Sequence, residues 1–317
     1  MTRDLSLAGW VRRRTFNAGS YSLKRVLASK ASSGGTISVI LPAREVAATI
    51  GPILDTLIPL RRKGVLDEIV VIDAASADGT GSIARRMGVQ VHQRAELMPE
   101  LGPSRGKGDA IWRGLGVTSG DIVAIVDSDT QNFGPHFALG LIGPLLEDAS
   151  LHLVKGSFER PLQLGVEKME GEGGRVTELT ARPLINLLLP QLAGFLQPLA
   201  GEVAARRSLL ETLPMPVGYG VEIAMLIDAL RAVGLEAMGQ VELGRREDAN
   251  QPLKQLSLMA YTVAATILGR GGAEPGAMAD AGTFLFAAAE GVEPKEVDLL
   301  ERPPLASLKL DKSAEGH

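Results

Sequence analysis

Hydrophobic and polar positions alternate along this chain in blocks, and the blocks predict strands and helices by turns. Residues 36–42 (TISVILP) form a continuous apolar run rich in β-branched side chains, which predicts a buried strand. Residues 46–62 carry apolar side chains at helical spacing, and residues 67–73 (DEIVVID) form a second strand-like run. A turn at Ser76-Ala77-Asp78-Gly79-Thr80 leads into a helix to Met87, and residues 89–93 make a short third strand. Residues 106–117 read as a helix and 121–126 as a fourth strand; 135–148 read as a helix and 151–158 as another strand. Strands alternating with helices at this spacing imply βαβ units and a parallel sheet covered on both faces. Right-handed crossovers bring every βα loop to one edge, so residues 42–45, 73–80 and 127–129 gather at one rim.

Beyond residue 160 the pattern loosens. Residues 167–174 (EKMEGEGG) read as a mobile loop, Arg175 to Glu178 open a long helix, and the apolar block 183–199 reads as a buried helix pair. At about 17 residues, broken by Pro190, Gln191 and Gln197, that block is too short and polar to span a membrane. Strand-like segments follow at 201–205 and 236–243, with helices at 207–213, 223–233 and 253–270. The chain divides into an N-terminal arm (1–35) docking through Trp10, Phe16 and Tyr21, an α/β half (36–160), a helix-rich half (161–270) and a tail or dimer arm (271–317).

Composition narrows the chemistry. A net charge of −4 argues against nucleic acid as partner, because phosphate neutralisation needs a basic excess. With no cysteine, thiol nucleophiles and zinc ribbons are excluded, and none of the four histidines pairs with another at metal-ligand spacing. The N-terminus lacks the apolar core of a signal peptide, which predicts a cytoplasmic protein. Neither Gly-x-Gly-x-x-Gly after the first strand nor a P-loop is present.

The candidate chemistry lies where the fourth strand ends, at Asp127-Ser128-Asp129. On an extended backbone the two carboxylates share a face, where they repel unless a cation sits between them. That predicts a site for Mg²⁺ (or Mn²⁺ or Co²⁺) against the diphosphate of a nucleotide-sugar; the bland alternative is a pair of solvated acids opening a turn. Lys107, in Arg105-Gly106-Lys107-Gly108, falls at a helix N-terminus where phosphate is favoured.

Leu41-Pro42-Ala43-Arg44-Glu45, the Asp73 to Thr80 turn, Arg105 to Gly108 and the acid pair together resemble the GT-A nucleotide-sugar glycosyltransferases. Gly173 to Leu179, Gln197 to Glu202, Tyr219 to Ile223 and Asn250-Gln251-Pro252-Leu253, with a weaker echo at Glu301-Arg302-Pro303-Pro304, resemble the glucosyl- and mannosyl-3-phosphoglycerate synthases. The resemblance implies an α/β fold of GT-A type: a mostly parallel, Rossmann-like sheet flanked by helices, with a helix-rich C-terminal acceptor-binding portion. It implies retaining transfer of a hexose from a nucleoside diphosphate to the 2-hydroxyl of 3-phosphoglycerate. Donor binding then falls to Pro42, Ala43, Glu45, Ser76, Lys107, Asp127, Ser128 and Asp129, and acceptor binding to Gly174, Arg175, Val176, Thr177 and Asn250. Asp129 and Asp248 would ligate the metal, and Glu222 and Asp129 would serve catalysis. Asp248 stands where the family usually carries histidine, which directs the donor expectation to GDP-mannose, with a UDP-glucose-dependent glucosyl enzyme as the alternative. A sugar-phosphate nucleotidyltransferase, or a non-catalytic nucleotide-sugar-binding module, would use the same sheet. The first requires a Gly-rich basic loop after the first strand, which residues 42–48 lack; the second predicts loss of Asp127, Asp129 or Arg175, all present. No membrane partner is expected, and the apolar block and tail point to a homodimer.

Overall fold

A computed structural model describes residues 2–159, 162–164, 167–169, 174–247, 252–272, 282–288 and 291–308. Its centre is a mixed sheet. Strands β2 (Ile37–Ala43), β3 (Glu68–Asp73), β4 (Gln90–Gln93) and β5 (Ile122–Ile125) run parallel, following β1 (Thr15–Asn17) in the chain. The later strands β6 (Leu153–Glu159), β9 (Val203–Arg206) and β11 (Met238–Arg245) complete it, while β7 (Leu162–Leu164) and β8 (Glu167–Met169) pair apart as a hairpin. Among the described residues the sheet has eight strands in the order β1-β11-β6-β9-β5-β2-β3-β4. Only β9 runs against its neighbours β5 and β6. Strands from both halves of the chain therefore share one sheet.

The continuous apolar strands bury both faces, and their residues divide between two cores by alternation. Val39, Leu41, Ile69, Val71 and Ala124 face a core closed by α3 (Ala47–Arg62) and α6 (Pro135–Glu147). Ile40, Val70, Ile72, Val123 and Ile125 face the other, closed by α5 (Lys107–Gly116) and α9 (Val221–Val233). Each fully buried Leu, Ile or Val contributes roughly 1.5–3 kcal/mol, so a slip of one residue in register would exchange the cores and is strongly opposed.

The N-terminal arm packs as α1 (Thr2–Arg14), β1 and α2 (Leu23–Ser33). Trp10 is fully buried; its ring lies 4.7 Å from Phe195 and its Nε1 donates to the Leu235 carbonyl at 2.9 Å. β1 extends the sheet beside β11.

Three expectations need correction. Residues 167–169 of the expected loop form β8. The apolar block is not a buried helix pair: α7 (Arg182–Leu188) stops before Pro190, whose missing N–H and ring exclude a continuing helix, and Leu187 is 77% exposed. Nor is all of the tail an appendage. Beyond α10 (Leu253–Gly271) and the hairpin of β12 (Thr283–Ala288) and β13 (Gly291–Glu296), strand β14 (Glu301–Arg302) pairs with β10 (Met215–Pro216). There Arg302 is buried and donates to Asp109 at 2.6 Å, and Trp112 Nε1 donates to the Pro303 carbonyl at 2.8 Å. An ionic anchor of this kind leaves no hydrophobic signature, so the segment reads as a loop.

Candidate active site

The chain leaves β5 through Val126 and delivers Asp127, Ser128 and Asp129 to the rim. Ser128 points back: its Oγ donates to the Pro42 carbonyl at 2.8 Å, and its own carbonyl accepts from Thr49 at 2.6 Å. The flanking aspartates take the opposite side, and one guanidinium serves both. Arg246, just past β11 on the same rim, donates to Asp127 at 3.1 Å and Asp129 at 2.9 Å. Behind it Glu202, wholly buried, accepts from Arg246 at 2.7 and 2.9 Å. Gly201 is required here, because an added Cβ would fall on the Asp127 carboxylate.

Lys107, at the first residue of α5, reaches the same acids. It pairs with Asp127 and, at 2.7 Å, with Glu222 in the first turn of α9. Burial alone would push its ammonium down, but the two carboxylates outweigh burial and hold it above its ordinary range. For Asp127, burial would raise the carboxyl, yet Lys107 and Arg246 together hold it well below the usual carboxylate range. A second lysine, Lys155 of β6, is 1% exposed in this neighbourhood. Burial pushes it down to about 8, with Glu222, Glu202 and Asp127 opposing the shift and Lys107 adding to it. Four carboxylates and three cations thus share one partly dry volume, where the acids offset the burial of Lys107 but only part of the burial of Lys155.

A cavity of about 370 Å³ opens on this cluster. Of the expected residues, Pro42, Ala43, Lys107, Asp127, Ser128, Asp129 and Glu222 line it. Glu45 and Ser76 do not line it. They brace the rim beside it: the Glu45 N–H donates to Ser76 Oγ at 2.9 Å, and Glu45 Oε1 accepts from the Ala77 N–H at 2.8 Å. Glu45 holds this place with φ of 52°, unusual for a side-chain-bearing residue. Gly174, with φ of 80°, starts the helical turn that carries Arg175, Val176 and Thr177, and the chain then widens into a π turn over Thr177–Ala181. Val176 and Thr177 are buried, so only part of this segment faces solvent, and none of these four residues lines the cavity. Asp248 and Asn250 lie outside the described residues.

Sequence reasoning passed over Arg246, Glu202, Lys155 and Arg94. The signal for Arg246 was available: a basic pair directly after a strand whose end reaches the same rim. Glu202 follows Gly201 at the end of the Gln197 to Glu202 segment, where nothing in the local pattern marks a buried acid, and Lys155 lies within an apolar run. A second cavity, of about 400 Å³, lies against α9 and α10. Its charges largely satisfy each other, with Arg270 bonded to Asp228 at 2.9 Å and Glu301 at 2.7 Å, so the chemistry belongs to the rim site.

Among the described residues no three His, Cys, Asp or Glu side chains converge as a metal cage. The rim nevertheless suits a hard divalent ion. The Asp129 side chain is 60% exposed, its carboxylate is already engaged by a cationic partner, and oxygen donors are what Mg²⁺ and Mn²⁺ take. Such an ion keeps positions for phosphate oxygens and water.

The mostly parallel sheet, its acid pair at the carboxyl rim and the cavity beside them define a GT-A glycosyltransferase. The model for Glycosyl transferase family 2 matches residues 38–150. Similarity extends well beyond that segment, and the chain belongs to the glucosyl- and mannosyl-3-phosphoglycerate synthase family. It is 42% identical over 306 residues to the glucosyl-3-phosphoglycerate synthase of Mycolicibacterium smegmatis, covering 95% of this chain and 98% of that one. It is 45% identical over 262 residues to the enzyme of that name from Mycobacterium tuberculosis, covering 81% and 80%. The crystal structure of mannosyl-3-phosphoglycerate synthase from Rubrobacter xylanophilus superposes with a TM-score of 0.86 at 40% identity, over 96% of this chain and 98% of that one. The Mycobacterium tuberculosis glucosyl enzyme in complex with Mn²⁺, UDP-glucose and phosphoglyceric acid gives 0.79 at 42% identity, over 90% and 95%.

Proposed function

We propose that this protein is a retaining glucosyltransferase that moves glucose from UDP-glucose to the 2-hydroxyl of 3-phosphoglycerate. The observation that carries the reading is the rim cluster: Asp127 and Asp129 share Arg246, and Lys107 stands between Asp127 and Glu222 on the cavity. Such a cluster is built for a ligand that brings its own negative charge and a divalent ion. The expectation of GDP-mannose, drawn from Asp248, finds less support than its alternative. Full-length relatives at 42% identity carry the glucosyl name, and the mannosyl name comes with the Rubrobacter structure.

In this reading the diphosphate lies over the N-terminus of α5, where Lys107 and the helix dipole favour anions. Asp129 and Asp248 would hold Mg²⁺ or Mn²⁺, which when bound would supply charge stabilisation to the departing nucleoside diphosphate. Arg246 brings a fixed guanidinium to the same phosphates. Arg175, the N–H groups of residues 174–177 and Asn250 take the acceptor's phosphate and carboxylate. Glu222, bonded to Lys107, orients that ammonium and faces the sugar. A carboxylate so engaged suits an electrostatic role better than nucleophilic attack, and retention then follows from front-face attack with the leaving phosphate accepting the acceptor's proton. Residues 36–160 supply most of the donor side and 161–270 the acceptor side, with Glu222 and Arg246 of the second segment reaching the donor cavity. Leu179 and Leu187, each 77% exposed, support burial in a homodimer, which sedimentation velocity tests: a monomer at micromolar concentration excludes it.

The deciding experiment sets UDP-glucose, GDP-glucose, GDP-mannose and UDP-mannose against 3-phosphoglycerate, with Mn²⁺, Mg²⁺ or EDTA. Metal-dependent transfer of glucose from UDP-glucose, retained as the α-anomer, is expected. Preferential transfer of mannose from GDP-mannose would overturn the donor assignment, and no transfer from any donor would overturn the acceptor.

A further inference from the structure

The cavity continues away from the acid cluster, across the ends of β2, β3 and β4. Registers place Asp73 beside Ala43 and Gln93 beside Asp73, so Ala43–Arg44, Ala74 and Arg94 end at one height. Three strand spacings separate the β5 rim from the β4 rim, about 14 Å, which is the reach of a nucleoside diphosphate laid along the sheet edge. The wall between is unusually small: Ala43, Ala74, Gly106 and Ala110 line it, leaving a flat slot. At its far end stand Arg44 and Arg94.

Arg94 is only partly used by the protein. Its Nη1 donates to the Gly106 carbonyl at 3.0 Å and its Nε is buried, while Nη2 is accessible and makes no hydrogen bond among the described residues, on a side chain that lines the cavity. A guanidinium has five N–H donors and no acceptor, so whatever completes it presents acceptor atoms. We infer that Arg94 reads the edge of the donor's nucleobase, giving its spare N–H donors to a ring keto oxygen. The inference rests on reading the cavity as a nucleotide-sugar site. Uracil and guanine offer a keto oxygen at the position where cytosine and adenine carry an amino group. An amino group there would bring donor against donor. Arg94 therefore selects keto bases over amino bases, and Arg44, on the same slot, adds a second cation near the acceptor edge.

The test is calorimetric titration of UDP, CDP, GDP and ADP, each with Mn²⁺, into the wild-type protein and into Arg94→Met and Arg94→Lys. The wild type is expected to prefer UDP to CDP by roughly tenfold or more, the discrimination of one good base-edge contact. Arg94→Met should weaken UDP by about that factor, leave CDP within about twofold, and so collapse the preference. Arg94→Lys should restore part of it. Equal loss of UDP and CDP would overturn the inference and leave Arg94 as a brace for the Gly106 loop, and an unchanged ratio would overturn it too. A wild type that binds none of the four nucleotides overturns the nucleotide-sugar reading itself, a separable outcome.

Discussion

Replacing Lys155 with methionine should make the ligand-free protein more stable at neutral pH and less useful as an enzyme. Lys155 is the third residue of β6, 1% exposed, and burial pushes its ammonium from 10.5 down to about 8 against the pull of Glu222 and Glu202. The unfolded chain keeps its proton to the ordinary value, whereas the folded chain releases it near 8. Between those values the unfolded state binds more protons, so wild-type stability rises with pH across the interval; below it the buried charge costs its full amount. At about 1.4 kcal/mol per pH unit, that interval is worth about 3 kcal/mol. Methionine matches the length of the side chain and brings no charge. Lys155→Met is therefore expected to gain up to about 3 kcal/mol at pH 7, with the gain shrinking from pH 8 to 10. Urea unfolding curves of both proteins at pH 7, 8, 9 and 10 measure it. A variant less stable at pH 7, or a difference that ignores pH, would refute the reasoning. If the gain appears while turnover falls, the lysine is kept for its charge beside Glu222, a trade of stability for function.

Other expectations follow from the same cluster. Glu202→Gln removes half of a buried ion pair but leaves Arg246 with Asp127 and Asp129, so the loss should fall below the usual 3–5 kcal/mol, at about 2–3 kcal/mol; a change under about 0.5 kcal/mol in urea unfolding would exclude Glu202 as the anchor. Gly201→Ala places a methyl on the Asp127 carboxylate and should cost about 1–3 kcal/mol, with transfer falling roughly tenfold or more; full activity at wild-type stability would contradict the packing. Asp129→Asn, at a largely exposed side chain, should leave stability within about 0.5 kcal/mol. It should still lower kcat/KM about 100-fold and weaken Mn²⁺ binding measured by electron paramagnetic resonance; unchanged Mn²⁺ affinity would remove Asp129 from the metal site.

Much of the fold was legible because the parallel strands are short, continuous and apolar. β2, β3 and β5 stand within two residues of where their runs predict them. The acid pair was legible for a related reason, since strand alternation is local and needs no tertiary information. What the sequence hid is ionic and distant. Arg246 meets Glu202 across 44 residues and Asp127 across 119, and no periodicity marks such a pairing. Arg302 and Asp109, 193 residues apart, tie the C-terminal segment to the helix bearing Lys107 by the same means. Arg94 escaped because a lone arginine after a short strand looks solvated until the small residues across the rim reveal a slot.

The hidden partners explain how the site can be charged and dry before any ligand arrives. Lys107 and Arg246 are held by protein carboxylates, so their desolvation has been met during folding. Under the proposed function, a diphosphate with its metal ion would exchange partners with cations already in place, leaving little reorganisation for the moment the sugar–oxygen bond breaks. The acids serve both states: Asp127, Glu202 and Glu222 fix the cations, while Asp129, the most exposed of the four, is the one positioned to change partner. The same exchange makes Glu202 the most informative acid to alter, because it touches neither cavity nor ligand in this reading. A loss of nucleotide affinity in Glu202→Gln larger than its loss of stability would show that the buried carboxylate acts on the site through Arg246.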